Sequence, residues 1–201
     1  MSNQSIWTPI PGETPIAPSG LKVKGVTNRR ELNVVEAQNI RQAIVKYFSS
    51  RPSQKSAPFT YDWCMRLHGE MFGDVWEWAG RTRLTKLNLG SAPHLIQDQL
   101  KHLLGDLESW TGFGVAMAEQ AVRLHHRAVQ IHPFENGNGR WSRMIANIWL
   151  ARAGEPYVEW PDQSIGQESV IRSEYIKALQ SADDGDDSSL IALHARYSKS
   201  T

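Results

Sequence analysis

The chain has 201 residues, 40% of them hydrophobic, with eight tryptophans and one cysteine; its 22 basic and 21 acidic side chains leave a net charge of +1. That length and apolar content suit one domain with a sizeable core and a short N-terminal extension. The near-neutral balance excludes the electrostatic footprint of a nucleic-acid or membrane-surface protein, and the lone Cys64 excludes an internal disulfide framework. Neither a signal-type start nor a long apolar span is visible, so a cytoplasmic location is the default, and there is no internal repeat.

Residues 1–26 read as an extended or irregular arm. Pro9, Pro11, Pro15 and Pro18 break regular structure, while Trp7 and Ile10 are placed to pin the arm to the domain. A helix is expected over 27–48, with Leu32, Val35, Ile40, Ala43, Ile44 and Tyr47 at a 3–4 spacing and Arg51-Pro52 ending it. Thr27 or Asn28 can cap that helix, and Glu31 then lies in its first turn, where the helix dipole favours it and a capping box is within reach. A second helix spans 60–72 on the stripe Trp63, Leu67 and Met71. Residues 72–83 (Phe-Gly-Asp-Val-Trp-Glu-Trp-Ala-Gly-Arg-Thr-Arg) read on their own as an aromatic-rich helix ending at Gly80, with the rings in the core. Residues 82–93 alternate apolar and polar and then break at Gly90, the pattern of a short hairpin or extended flap.

Residues 94–110 predict a strongly amphipathic helix through Ile96, Leu100, Leu103, Leu107 and Trp110, and 115–130 another, delivering His132 at its end. His125 and His126 invite a zinc reading together with His132, but no His-Glu-x-x-His spacing and no cysteine ligand supports it; one of the pair is expected behind the loop and the other in solvent. Then comes His132-Pro133-Phe134-Glu135-Asn136-Gly137-Asn138-Gly139-Arg140-Trp141-Ser142-Arg143, a glycine-rich loop that opens a buried helix over 140–151. Such a turn presents free amides and the positive end of a helix dipole, which makes an anion site. Arg140 and Arg143, three apart, can offer planar bidentate donors to phosphate oxygens. His132 can take a proton near neutral pH, and an oxygen ligand beside the glycines, Asn136 or Glu135, can help hold Mg²⁺. Together these describe phosphoryl or nucleotidyl transfer; the bland alternative is a plain turn with a structural histidine, and no Gly-Lys-Ser/Thr of a P-loop follows.

Gly154 ends the loop's helix, and 156–161 cross irregularly, with Tyr157 and Trp160 either packing or stacking on a base. Residues 164–182 predict one helix on Ile171, Tyr175 and Leu179, Asp183 to Asp187 a solvated turn lacking calcium-loop spacing, and 188–197 the last helix.

The loop resembles the signature of the Fic (Fic/Doc) family, His-Pro-Phe-x-[Asp/Glu]-Gly-Asn-Gly-Arg-x-x-Arg, departing from it at Asn136, where the family usually has an acid. Residues 72–83 are similar to a second landmark of that family, and the tract Tyr175 to Leu179 before an Asp-rich turn to a third. Asparagine at the departing position also occurs in a subgroup, mobile mystery protein B, which this chain resembles. The resemblance covers roughly residues 27–197 and implies an all-α Fic-type domain (27–201) with a short β-hairpin flap (82–93) over the signature loop (132–143). It further implies a protein adenylyltransferase, which passes AMP from ATP with Mg²⁺ to a Ser, Thr or Tyr hydroxyl of a target protein; self-association stays open. His132 would be the general base. Gly137, Asn138, Gly139 and Arg140 would hold phosphates, Arg143 would face the γ-phosphate, and Asn136, with Glu135, would hold the metal. Lys86, Leu87, Asn88, Leu89 and Gly90 would register the target's main chain. Thr27 to Asn33 resembles the family's inhibitory motif, with Leu32 in place of its small residue. Glu31 would therefore pair with Arg143 and restrain the enzyme from the helix 27–48, Glu36 being the lesser candidate.

Overall fold

The computed structural model describes residues 19–199, so the expected pinning by Trp7 and Ile10 lies outside the described residues. Within them the chain forms α1 (Arg29–Phe48), α2 (Tyr61–Phe72), α3 (Ile96–Gly112), α4 (Met117–Ile131), α5 (Asn138–Ala153), α6 (Asp162–Ile165), α7 (Val170–Asp183) and α8 (Ser188–Arg196); a 3₁₀ turn, Pro93–Leu95, precedes α3. Local chemistry sets the starts. Asn28, Thr60 and Ser169 are extended and accept from the amides of Glu31, Trp63 and Arg172, capping α1, α2 and α7.

α4 and α5 pack on each other and share a core with α1, α2 and α3, in which Leu124, Ala128 and Ile131 meet Trp141, Ile145 and Ile148. A second cluster, Tyr175, Leu179, Leu190 and Leu193 from α7 and α8, gathers round Val122 of α4. α4 is thus gripped from two sides, which fixes the point where it hands the chain to His132.

Four expectations are corrected. No strand occurs among the described residues, where β pairing is limited to the isolated antiparallel bridges Leu21–Trp76 and Val158–Ser198. The 82–93 segment is therefore not a hairpin. Its two ends bond to the backbone on either side of His132 instead of to each other, Arg83 N–H to Pro133 C=O at 2.9 Å and Ser91 N–H to Ile131 C=O at 3.1 Å. Residues 73–80 form a series of turns rather than a helix, and the Leu21–Trp76 bridge uses their backbone. The helix expected over 164–182 is split into α6 and α7, with Ser169 capping the second piece. On α1 the buried stripe is Leu32, Glu36, Asn39, Ala43 and Tyr47, so two polar residues stand where a purely apolar reading places Val35, Ile40 and Ile44, the last of them exposed.

Candidate active site

The signature loop hangs between the end of α4 and the start of α5. His132 caps α4 in the left-handed region (φ 53°, ψ 61°), a conformation that favours glycine or asparagine and that a histidine enters at some cost. Gly137 is also left-handed (φ 79°), and a Cβ there would lie 2.7 Å from two carbons of the Phe72 ring, so only glycine lets the loop rest on that ring. Asn138 zips the loop shut: its carbonyl oxygen accepts from the Phe134 amide and its amide group donates to the Phe134 carbonyl, both at 2.8 Å. No side chain caps α5. Its first backbone bond runs from Trp141 N–H to Gly137 C=O, so the amides of Asn138, Gly139 and Arg140 point out of the helix end.

Burial holds the His132 imidazole down to about 4, a hydrogen bond with the Val129 backbone opposing the shift and the Arg83 charge adding to it. Because the Val129 bond favours the protonated ring, the ring donates to that carbonyl, and its other nitrogen carries the lone pair. His132 is therefore built as a neutral proton acceptor. His68 of α2 supports the loop from below, stacked on Phe134 with ring centroids 3.6 Å apart. Gly80 N–H donates to His68 Nδ1 at 3.0 Å, which leaves the proton on Nε2 to be given to the Asn136 carbonyl at 3.1 Å.

Arg83, the last residue of the second landmark, is buried and clasps three carbonyls: His132 at 2.7 Å, Thr85 at 2.8 Å and Ser91 at 2.5 Å. One guanidinium thus ties His132 to both ends of the 82–93 segment. Gly90 (φ 90°) completes the junction, since a Cβ there would stand 2.4 Å from His132 Cβ. Lys86, Asn88 and Leu89 are exposed and Leu87 half-buried, so residues 86–89 form an open edge that leads to Gly90 and His132.

The two signature arginines diverge. Arg140 leaves toward α1, where it donates to Glu36 Oε2 at 2.6 Å and lies 4.9 Å over the Phe72 ring. Glu36, 1% exposed, also accepts from Trp76 Nε1 at 2.7 Å. Arg143 turns the other way, donating from Nε (3.0 Å) and Nη2 (2.6 Å) to Asp162 Oδ1 and from Nη1 to Tyr175 Oη (3.3 Å).

Glu31, expected to face Arg143, instead spends its carboxylate on the cap, accepting from the Thr27 amide at 2.7 Å and the Thr27 hydroxyl at 3.0 Å. Those bonds hold the exposed carboxyl below its ordinary value. An open groove of about 590 Å³ runs beside it, and none of the signature residues lines that groove. The α1 glutamate that reaches the signature loop is Glu36. Asn136 Oδ1 accepts from Gly137 N–H at 2.7 Å and, at 3.4 Å, from Arg140 Nη2, so both of its lone pairs face inward. Glu135 is half-buried, with its carboxylate 3.3 and 3.4 Å from the Thr85 hydroxyl. A divalent cation would therefore find one carboxylate here, Glu135, and no ready oxygen on Asn136. His126 is not solvated; its Nε2 lies 2.8 Å from Asp183 Oδ1. Trp160 packs on His125, Tyr175 and His194, and Tyr157 on Phe48.

Burial lowers His68 to about 3 and His194, like His132, to about 4. The unfolded chain, with imidazoles near 6.5, binds more protons in that interval, so stability rises with pH through it and is lost as pH falls from about 6.5 toward 4. The unfolding free energy is expected to fall over that range by about 1.4 kcal/mol per pH unit for each such histidine, and the urea midpoint to fall with it. A flat midpoint between pH 6.5 and 4 would show that these rings take up protons without cost to the fold.

Residues 58–150 match the model of the Fic/DOC family. The chain is 27% identical over 193 residues to the protein adenylyltransferase fic-1 of Caenorhabditis elegans, covering 92% of this chain and 36% of that protein. It is 32% identical over 162 residues to the protein adenylyltransferase Fic of Nematostella vectensis, covering 78% and 36% respectively. The solved structure of C. elegans Fic-1 (residues 134–508) superposes with a TM-score of 0.70 at 27% identity, over 87% of this chain and 51% of that one. The chain thus spans about a third of the length of these curated relatives.

Proposed function

The chain belongs to the Fic/DOC family, and from that premise we propose that it is a protein adenylyltransferase, moving AMP from Mg-ATP to a hydroxyl side chain of a target protein. What carries the reading is the uncapped start of α5, with three outward amides and a glycine, set beside a histidine that holds a lone pair. The target hydroxyl oxygen attacks the α-phosphorus, His132 accepts its proton, and pyrophosphate leaves as the bond to the β-phosphate oxygen breaks. The amides of Asn138, Gly139 and Arg140 receive phosphate oxygens, and Arg140 and Arg143 exchange their carboxylate partners for phosphate. Mg²⁺ would neutralise phosphate charge, with Glu135 as its protein carboxylate. The exposed edge Lys86–Gly90 would align the target's main chain, its position against His132 fixed by Arg83 and Gly90.

In this reading Glu36 takes the inhibitory role expected of Glu31. It is a buried carboxylate holding one of the two phosphate arginines away from the loop. Glu36→Gln keeps an acceptor for Trp76 and removes the charge, and is expected to raise transfer of label from α-labelled ATP to protein about tenfold over wild type. Glu31→Gly should leave that rate unchanged and lower the melting temperature slightly, through loss of the Thr27 bonds and a glycine in the first turn of α1. The assay is run with the protein alone and with cell lysate. Absence of label from a Glu36→Gln protein that still binds ATP would overturn the proposal.

A second reading is favoured by Asn136, whose oxygen is spent within the loop: a nucleotide-binding module with weak turnover. Asn136→Asp supplies a second oxygen and full charge; a gain in transfer of tenfold or more would identify that missing charge as the limit.

A further inference from the structure

Behind Arg143 lies a row of buried polar groups with no part in the chemistry above. Tyr175 Oη is 2.9 Å from His125 Nε2, and His125 Nδ1 is 2.9 Å from His194 Nε2. Arg143, Tyr175, His125 and His194 are all 6% exposed or less, and Trp160 closes the row edge-on against both histidines and Tyr175. Proton counting gives the row a direction. Tyr175 accepts from Arg143 Nη1, and its single hydroxyl proton has His125 Nε2 as its other partner; His125 therefore carries its own proton on Nδ1 and donates it to His194 Nε2, which puts the His194 proton on Nδ1. Every member is neutral except Arg143, burial keeping both imidazoles uncharged.

The two sides of the guanidinium are thus unlike. Asp162, whose side chain is 58% exposed on a helix of four residues, neutralises Arg143 from the solvent side. The Tyr175 row holds it from the buried side without cancelling its charge, so Arg143 keeps its place and its attraction for an anion when Asp162 is displaced. We propose that Tyr175, His125 and His194 are positioning residues that aim Arg143 at the outermost phosphate of the donor, and so set the preference of the site for a triphosphate over a monophosphate. This rests on the reading of Arg143 as a phosphate ligand.

The test measures binding of a non-hydrolysable ATP analogue, AMP and inorganic tripolyphosphate to the full chain by calorimetry. Tyr175→Phe is expected to weaken the triphosphate and tripolyphosphate about tenfold and AMP less than twofold, at a melting temperature that confirms folding. In an Arg143→Ala background the same change should cost nothing further, because its effect runs through Arg143. Equal weakening of all three ligands, or an undiminished loss in the Arg143→Ala background, would overturn the proposal and leave Tyr175 a packing residue. Tripolyphosphate separates the two readings. If it binds with the Tyr175 dependence while adenine nucleotides do not, the positioning row stands and the nucleotide assignment falls; binding of neither overturns both. Should Tyr175→Phe fail to fold, imidazole ¹⁵N spectra of the wild-type chain decide: Nδ1-protonated tautomers of both His125 and His194, with His125 signals moving on tripolyphosphate addition, are expected. The opposite tautomers, or signals indifferent to the anion, would sink the row.

Discussion

Gly139→Ala is expected to make the protein more stable and nearly unable to hold a nucleotide. Gly139 lies in the first turn of α5 without a positive φ, and a Cβ there meets only Arg143 Nη1 at 3.5 Å and Tyr175 Oη at 3.9 Å, ordinary contacts. The fold gives no reason for glycine at this place. Alanine in a helix is better than glycine by up to about 1 kcal/mol, so the melting temperature should rise by about 2–4 °C. The same methyl, however, stands between the outward amides and the Arg143 guanidinium, the space a phosphate oxygen must enter to touch both. Affinity for ATP is expected to drop by about a hundredfold. The contrast with Gly90 and Gly137, where a Cβ would collide with His132 or Phe72, makes the result diagnostic. A stabilised Gly139→Ala that binds ATP as well as wild type would remove the phosphate from the end of α5.

His132→Ala is expected to lower transfer by about 10²–10⁴-fold while leaving ATP affinity within about threefold, since in the proposed reaction His132 meets the acceptor hydroxyl and not the phosphates. The pH profile adds a check. With the ring held to about 4, the base is unprotonated well below neutrality, so the acid limb of transfer should fall well under the ordinary histidine value of about 6.5. The cost is a weaker base, which caps the gain from proton transfer. An acid limb at 6.5, or full transfer by His132→Ala, would assign the proton to another group.

The helices were legible because apolar residues at 3–4 spacing need only local information, and Asn28 is a local start signal, whereas the start that Ser169 sets within the expected 164–182 helix went unread. The signature loop was legible because His132, the glycines and the arginines act within twelve consecutive residues. Much that holds the loop was not. Glu36 sits on the core stripe of α1, where a carboxylate looks like an interruption, and its partner Arg140 is 104 residues away. His125 and His194 lie 69 apart, and Asp162 reaches Arg143 from a helix too short to carry a periodic signal. The alternation over 82–93 was real, but it marks one buried arginine gathering carbonyls rather than a ladder between strands. One sequence cue did point to Arg83, which closes the aromatic landmark at 72–83.

That arginine has a dynamic consequence. Because one guanidinium holds the His132 carbonyl together with those of Thr85 and Ser91, the proposed docking edge and His132 are tied as one body among the described residues. In the proposed transfer, a target chain arriving on that edge would meet a proton acceptor already in register, and discrimination among targets would reduce to reach. A side chain whose hydroxyl falls short of the imidazole from the docked backbone would then gain nothing from tighter docking, and one of the right length would react without waiting for a closure step.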